Sequence, residues 1–459
     1  MEDYARDDTI VAISTPLGFG GIGIVRLSGN EALEIARKIF IFTTAKTTII
    51  PQRAVFGHLV EIGGGERLDD GYLIYFRGPH SYTKEDVVEL SLHGSPAVLE
   101  GALRSSIKAG ARAAHPGEFT LRAFLNGRFD IIQAEAVNDL IHATSLEAAK
   151  LAFGQIDGRL SMKIWELRRR MVRLQADIEA LIEFPEECLP VSSQKISRSL
   201  ATIVRFLENL VSSYNAGKAL FEGVTLAIVG KTNVGKSTLF NAILEEDRAI
   251  VTPYPGTTRD FLRERVRIRD AYFTLVDMAG LAKSRAKVEK EGIERGKRLA
   301  AQADGLLIIL DISRKESRQD QTLLEACRDR NALVVFNKID LPRKMDTRRI
   351  KRWSGRLPSV EISALKGNNI GFLKAEIYRL FAVKLKNPES TIFHLRQKTE
   401  LESILKHCLN ARDRLAMTSS EEICAEEMRD AIQGMGRLTG DIRTDEVLED
   451  IFSRFCVGK

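Results

Sequence analysis

A chain of 459 residues with 44% hydrophobic and 28% charged residues has the composition of a soluble globular protein, and its length suggests about three domains. The formal charge of +6 is mildly basic, which is compatible with an RNA partner without requiring one. The sequence has no signal peptide, no apolar run long enough for a membrane span and no paired spacing among its five cysteines, so we expect a cytoplasmic protein without membrane contact.

The first 125 residues predict a mixed α/β domain. Strand-like runs lie at 10–14, 23–28, 72–76 and 87–93, and helical stretches lie at about 30–39 and 96–109. From about Gln133 the apolar residues recur with helical spacing. This helical pattern is interrupted by a turn at 184–190 and continues in a further helix to about Phe221.

At Val224 the pattern changes to short apolar runs that alternate with helical segments, which predicts a doubly wound, mainly parallel sheet. Helices return after about Leu380. Because helical sequence flanks the α/β unit, we interpret the chain as a discontinuous helical domain that carries an inserted α/β domain; two separate helical domains are the alternative. The predicted boundaries are 1–125 for the N-terminal domain, 126–222 and 383–459 for the helical segments, and 223–382 for the insert.

The insert contains a phosphate-binding motif. Residues 230–237 read GKTNVGKS, follow a predicted strand and begin a predicted helix. In this context backbone N–H groups can surround phosphates, Lys236 can reach the outer phosphates, and the Ser237 hydroxyl can bind Mg²⁺. Asp277-Met-Ala-Gly280 ends a later strand, where the carboxylate can hold Mg²⁺ through water and the glycine N–H can contact the γ-phosphate.

Two further motifs select the base. Asn337-Lys-Ile-Asp340 ends the strand ALVVF, and its Asp340 carboxylate can accept hydrogen bonds from the N1–H and the amine of guanine, which adenine cannot match. Ser363-Ala-Leu365 follows the last strand, and its backbone can contact guanine O6. Four motifs in this order predict GTP rather than ATP as the ligand and a Ras-like P-loop G domain as the fold of the insert.

The sequence gives less direct evidence for the group that orients the catalytic water. The segment 252–258 (TPYPGTT) belongs to the first switch loop, in which Thr258 is expected to bind Mg²⁺ while the γ-phosphate is present. Leu281 occupies the position where Ras-like enzymes carry a water-orienting glutamine, so another group must serve. The nearest acidic stretch is Glu289-Lys-Glu291, although exposed helix charge is the more ordinary explanation for it.

The chain resembles the MnmE (TrmE) family of tRNA-modification GTPases over nearly its whole length. The similar segments include NVGKS, AIVTPYPGTTRD, VEKEGIERG, FPEE, SYTKEDVVELSLHG, TIVAISTPLGFGGIGIVRLSG and the terminal IFSRFCVGK. The resemblance implies that Glu289 orients the catalytic water. It also implies that a K⁺ ion takes the place of an arginine finger, with ligands Asn233, Thr252, Tyr254 and Thr257, and that dimerisation of G domains activates hydrolysis.

With the switch loop included, the predicted GTP-binding residues are Asn233, Val234, Gly235, Lys236, Ser237, Thr238, Thr252, Pro253, Tyr254, Pro255, Gly256, Thr257, Thr258, Asp277, Met278, Ala279, Gly280, Asn337, Lys338, Asp340, Ser363, Ala364 and Leu365.

The resemblance further implies a folate site in the N-terminal domain. The cofactor would be 5-formyltetrahydrofolate or 5,10-methylenetetrahydrofolate, bound at a dimer interface by Arg26, Glu89, Arg128 and the terminal Lys459. It implies a homodimer that joins an FAD-dependent MnmG (GidA)-type partner in a heterotetramer or larger complex. Together they would install an aminomethyl or carboxymethylaminomethyl group at C5 of the wobble uridine (U34) of tRNA.

Several features permit other interpretations. Gly18 to Gly23 fits GxGxxG, but strand-like residues follow it rather than the helix of a dinucleotide-binding oxidoreductase. A ribosome-assembly GTPase would share all four nucleotide motifs and is the alternative function. Cys456 is either a reactive thiol or a small buried hydrophobe. The basic stretches Arg159–Arg173 and Arg343–Arg356 are either solvated helix faces or phosphate contacts.

Overall fold

The computed structural model describes residues 8–43, 48–62, 65–183, 193–245, 263–269, 271–277, 303–382, 390–415, 421–442 and 445–458. The chain divides into two compact units. The first contains Met1–His142, Ala152–Asn209 and Thr399–Lys459, and the second contains Ala143–Leu151 and Leu210–Lys398. The first unit therefore contains helical sequence from both sides of the insert, whereas residues 143–151, 210–222 and 390–398 group with the insert.

A seven-stranded sheet forms the N-terminal part of the first unit, in the order β3-β4-β5-β6-β2-β1-β7. Its strands are β1 (Ile10–Ile13), β2 (Gly20–Ser28), β3 (Phe40–Phe42), β4 (Ala54–Val60), β5 (Arg67–Phe76), β6 (Val87–Gly94) and β7 (Arg112–Ala113). Among the described strands of this sheet, only the short β1–β7 pair is parallel. Helices α1 (Ala32–Ile39) and α2 (Pro96–Lys108) cover one face with apolar residues that include Ile35, Ile39 and Leu99.

Sequence reasoning found β1, β2, β5 and β6 but missed β3, β4 and β7. Strands β3 and β7 are too short to show alternation. Strand β4 leaves Phe56 exposed, so its apolar residues do not mark one buried face. Glycines of the GxGxxG sequence begin β2 rather than a helix, which confirms the strand prediction for the residues that follow Gly23.

Long helices follow the N-terminal sheet, and parts of two of them, residues 146–151 and 210–222, belong to the second unit. Before the insert these are α3 (Glu118–Leu125), α4 (Ile131–His142), α5 (Leu146–Ile156), α6 (Arg159–Glu183) and α7 (Ser193–Glu222). The predicted turn at 184–190 lies outside the described residues.

Within the described part of the insert, the first helix is α8, which spans Lys236–Glu245.

The second unit is built on a six-stranded sheet in the order β13-β12-β11-β8-β10-β9. Its strands are β8 (Val224–Val229), β9 (Arg263–Ile268), β10 (Ala271–Asp277), β11 (Gly305–Asp311), β12 (Ala332–Asn337) and β13 (Ser359–Glu361). All neighbours are parallel except β9 and β10. The mainly parallel sheet confirms the doubly wound α/β prediction.

Helices cover both faces of this sheet. Besides α8, they are α9 (Arg318–Ala326), α10 (Thr347–Ser354) and α11 (Ile370–Phe381). Leu307 and Ile309 of β11 pack in the cluster that holds residues of α8 and α11. Ile308, which points the opposite way, packs with Leu324 of α9 and Ile350 of α10.

Three helices follow the insert: α12 (Leu395–Leu415), α13 (Glu421–Thr439) and α14 (Asp445–Phe452). Helix α13 contacts α6, where Arg429 pairs with Glu179 at 3.4 Å. Phe452 of α14 packs against Phe124 of α3. These contacts join chain segments from the two sides of the insert, which is the arrangement that the sequence predicted. Among the described residues, no helix is both long and apolar enough to cross a bilayer.

Candidate nucleotide and cofactor sites

The phosphate loop lies between the end of β8 at Val229 and the start of α8 at Lys236. Its backbone requires unusual conformations, with φ of 153° at Gly230, 64° at Asn233 and 98° at Gly235. A Cβ atom on Gly230 would lie 2.5 Å from the carbonyl oxygen of Ile309. The first glycine of the motif is therefore needed for close approach to β11 as well as for its φ.

Lys236 turns its ammonium group back over this loop. Its Nζ donates to the carbonyl oxygen of Gly230 at 2.9 Å and also to that of Lys231, and the residue is only 7% exposed. Ser237 and Thr238 are exposed in the first turn of α8. The Lys236 ammonium group and the positive N-terminal end of α8 thus lie at the same loop, which is a favourable environment for phosphate.

Asn337 connects three of the predicted motifs. Its side chain is buried at 2% exposure, and its Nδ2 donates to the carbonyl oxygen of Val234 in the phosphate loop at 2.9 Å. Its Oδ1 accepts from the backbone N–H of Lys338 at 2.8 Å and of Ala364 at 2.9 Å. The phosphate loop and the two guanine motifs are therefore held together through one amide.

Lys338 provides a second connection. Its Nζ donates to the carbonyl oxygen of Asn233 at 2.9 Å and to the Asp311 carboxylate at 2.7 Å. Burial by itself raises the pKa of Asp311, but hydrogen bonds from Lys338 and Ser313 outweigh it, and the pKa lies below its usual value. Sequence reasoning missed Asp311; the available signal was an acid at the end of the apolar run GLLIILD.

Lys231 was also missed, although it lies within the phosphate motif. Its Nζ bonds Asp320 Oδ2 at 2.5 Å and the hydroxyl of Ser317. Ser317 and Asp320 form the capping box at the start of α9, so one lysine attaches the phosphate loop to a helix terminus. The GxxxxGK(S/T) motif allows any residue at position 231, so the motif does not indicate a role for Lys231. Only the fold brings the phosphate loop next to the start of α9.

The structure also describes residues of the two predicted guanine motifs and the backbone of Asp277, which was predicted to hold Mg²⁺ through water. Asp340 is exposed just beyond β12, and Leu365 is 76% exposed beside the buried Ser363 and Ala364. Asp277 is the last residue of β10, whose backbone pairs with β8 at Ile228. The remaining predicted nucleotide and cation residues lie outside the described part of the chain; they are Thr252, Pro253, Tyr254, Pro255, Gly256, Thr257, Thr258, Met278, Ala279, Gly280 and Glu289.

The N-terminal sheet contains a cavity of about 540 Å³ that is lined by Arg26, Glu89 and Arg128 among other residues. Arg26 and Glu89 are directly opposite each other on β2 and β6. Their side chains pair at 2.7 Å, with both guanidinium contacts on Oε1 of the glutamate. The other oxygen, Oε2, has no hydrogen-bond partner within the described residues.

Aromatic rings hold the two arginines in place. Tyr82 lies between them, 5.4 Å from the Arg26 guanidinium and 5.0 Å from that of Arg128. Arg128 also contacts Phe129 at 4.9 Å and donates to the carbonyl oxygen of Ser81 at 2.8 Å. Burial raises the pKa of the Tyr82 hydroxyl above its ordinary value.

The last described residues lie beside this cavity. The carbonyl oxygen of Gly458 accepts from the Ser14 hydroxyl at 3.1 Å and from Arg26 at 3.4 Å. Gly458 has a φ of 96°, and a Cβ there would lie 2.5 Å from the Ile13 carbonyl oxygen. Lys459 lies outside the described residues. Cys456 is exposed, which excludes its interpretation as a buried hydrophobe.

Comparison with known proteins covers nearly the whole chain. Residues 131–456 match the family model for the MnmE helical domain, and residues 9–128 match that for the N-terminus of the GTP-binding protein TrmE. The tRNA modification GTPase MnmE of Aquifex aeolicus (strain VF5) is 41% identical over 454 residues, or 98% of this chain and 100% of the relative. That of Koribacter versatilis (strain Ellin345) is 40% identical over 458 residues, or 99% of each chain.

Proposed function

Because the chain belongs to the MnmE family of tRNA modification GTPases, we propose that it drives modification at C5 of the wobble uridine U34. The product would be 5-aminomethyluridine or its carboxymethylaminomethyl counterpart. The chain would act as a cytoplasmic homodimer with an FAD-dependent MnmG (GidA)-type partner, in a heterotetramer or larger complex. GTP hydrolysis and tRNA modification are the activities of the family. For this chain we propose the modified position U34, the MnmG-type partner and folate as the one-carbon source.

The domain assignment follows the same proposal. Residues 1–125 would bind folate and dimerise, 126–222 and 383–459 would form the helical domain, and 223–382 would form the G domain.

In the G domain, the arrangement of the described residues supports GTP binding by the predicted set. Lys236 would move from the carbonyl oxygens that it now contacts to the outer phosphates, where its charge is better compensated. Ser237, in the first turn of α8, and Thr258 would supply hydroxyl oxygens to Mg²⁺, a cation that prefers oxygen ligands. When bound, Mg²⁺ neutralises charge on the phosphates. Asp340 would accept from guanine, with the Ala364 backbone fixed by Asn337.

Hydrolysis would depend on K⁺ and on a partner G domain. Asn233 is exposed at the phosphate loop, so its side chain would be accessible to a cation, and Lys338 holds its backbone carbonyl oxygen at 2.9 Å. Thr252, Tyr254 and Thr257 would complete the ligands, and Glu289 would orient the water. A monovalent cation at this place supplies positive charge to the transition state.

The single observation that carries the folate part of the proposal is the cavity that gathers Arg26, Glu89 and Arg128. A pterin needs a carboxylate facing its amino-pyrimidine edge, and Oε2 of Glu89 would supply it. A glutamate tail needs cations, and Arg128 with Lys459 can supply them. A volume of about 540 Å³ lies within the usual range for small-molecule sites.

Mass spectrometry of tRNA wobble uridines tests the whole proposal. Cells that lack the protein should accumulate unmodified U34, and the wild-type gene should restore the modification. Glu89→Ala should fail to restore it, whereas Glu100→Ala, an exposed glutamate on α2 outside the cavity, should restore it fully. Normal wobble uridines in the deletion strain would contradict the proposal and favour a ribosome-assembly GTPase.

Two measurements on the purified protein separate its parts. Hydrolysis should be much faster in K⁺ than in Na⁺, and Asn233→Ala should remove that difference; equal rates of the wild type in both salts would exclude the cation model. Calorimetry with 5-formyltetrahydrofolate should show loss of binding in Arg128→Ala. Unchanged GTP affinity of that variant confirms that it is folded, and unchanged folate affinity would exclude the site.

A further inference from the structure

Helix α10 presents a cationic surface on the G domain that the nucleotide site does not use. We define the α10 basic surface as Lys344, Arg348, Lys351, Arg352 and Arg356, all of which are exposed. Helix α10 itself, TRRIKRWS, contains no acidic residue. On an average surface positive and negative side chains alternate, so this concentration of one sign requires an explanation.

Between Arg343 and Arg356, some basic side chains have acidic partners and others do not. Arg343 pairs with Glu361, and Arg349 pairs with Glu316 at 3.1 Å. Asp346 is occupied as the helix cap, since its carboxylate accepts from the backbone N–H of Arg348. For the five residues of the α10 basic surface, the described part of the chain provides no ion pair.

Helical geometry places the central members together. Arg348, Lys351 and Arg352 have the spacing of neighbours on one helix face, while Ile350 and Ser354 are buried against the sheet. After Ser354 the chain turns at Gly355, with a φ of 64°. The Arg328 guanidinium crosses this turn, because a Cβ on Gly355 would lie 2.7 Å from its Nε. An arginine from outside the stretch therefore extends the surface.

In the described part of the chain, the five residues of the α10 basic surface make no hydrogen bond to the predicted GTP-binding residues. Ile350 packs in the cluster that contains Ile308, whereas α8, which begins at the phosphate loop, packs on the other face of the sheet. Neutral substitutions on α10 therefore leave the nucleotide contacts in place.

Unpaired guanidinium groups spread along a helix suit a repeated anion. Eight residues of α-helix extend about 12 Å, which is longer than a single phosphate group. Arginine forms bidentate hydrogen bonds with phosphate, and a nucleic-acid backbone repeats that group at short intervals. We propose that the α10 basic surface binds the phosphate backbone of tRNA. This inference rests on the proposed function, which supplies the tRNA.

The salt dependence of tRNA binding tests the surface. Full-length protein is titrated with a fluorescently labelled, unmodified tRNA transcript at a series of KCl concentrations. In the variant R348Q/K351Q/R352Q, the slope of log K against log salt should be less steep by about two to three, since each lost phosphate contact removes about 0.7–0.9. Affinity at low salt should fall about tenfold or more.

Two controls accompany this variant. R348K/R352K keeps the charges and should keep the slope, and Arg379→Gln removes an arginine of α11 that is already paired with Glu376, so it should bind like the wild type. GTP hydrolysis without tRNA should be unchanged in every variant, which shows that the G domain is folded.

The outcomes separate this inference from the proposed function. If the wild type binds tRNA with a steep salt slope and R348Q/K351Q/R352Q behaves identically, the inference is overturned while the proposed function stands. If the variant loses binding to heparin or to anionic vesicles but not to tRNA, the surface serves another polyanion and the inference is also overturned. Failure of the wild type to bind tRNA would count against the proposed function itself.

Discussion

Replacing Gly235 by alanine tests whether the phosphate loop and the guanine motifs act as one unit. The new Cβ would lie 2.3 Å from Nδ2 of Asn337, which is too close for any real contact, and the backbone φ of 98° disfavours every side chain. Asn337 cannot withdraw without losing its bond to the Val234 carbonyl oxygen. A methyl group in the phosphate loop should therefore disturb the residue that organises guanine recognition.

The expected magnitude follows from two terms. A non-glycine residue at a positive φ costs about 1–3 kcal/mol. Loss of a hydrogen bond by a buried amide costs about another 1–3 kcal/mol. The lower bounds of the two terms add up to about 2 kcal/mol. If the substitution destabilises the GTP-binding conformation by that amount, GTP affinity falls roughly 30-fold, because 1.4 kcal/mol corresponds to a tenfold change.

Titration of a fluorescent GTP analogue measures this loss, and urea unfolding of the same samples measures stability. Gly371→Ala is the matched control. Gly371 lies in α11 with no atom near its Cβ position, so alanine should leave GTP affinity unchanged and stabilise the helix by at most about 1 kcal/mol. A folded Gly235→Ala variant with GTP affinity within about threefold of the wild type would refute the reasoning.

Two other predictions concern buried carboxylates. Glu118 is fully buried and accepts from Arg112 and Arg122, so Glu118→Gln should lower the free energy of unfolding by about 3–5 kcal/mol in urea titrations, whereas Glu100→Gln on the surface should change it by less than about 1 kcal/mol. The pKa of Asp311 lies below its ordinary 3.8, because hydrogen bonds from Lys338 and Ser313 outweigh the raising effect of burial. The ionised Asp311 therefore contributes its full stabilisation above pH 3.8, and this stabilisation is lost as the pH falls through the lowered pKa. In thermal melts at acid pH, the melting temperature of Asp311→Asn should depend less on pH than that of the wild type. An unchanged pH dependence would contradict this assignment.

Sequence alone located the phosphate loop because strand, glycine loop and helix are local patterns that lie next to one another in the chain. It could not find the bond between Lys231 and Asp320, because 89 positions separate them and only the fold brings α9 to the loop. The Arg26–Glu89 pair came from family resemblance. Its physical cause is the register of β2 and β6, which no single-strand pattern specifies.

The pairing of α6 with α13 has a consequence for the synthesis of the chain. Glu179 and Arg429 are 250 positions apart, so the apolar face of α6, which includes Ile164, Leu167 and Met171, has no α13 to pack against until translation is nearly complete. The G domain lies between them and can fold first from its own residues. During most of translation this protein therefore carries an incomplete helical core, and chains that end before α13 should require chaperones or aggregate.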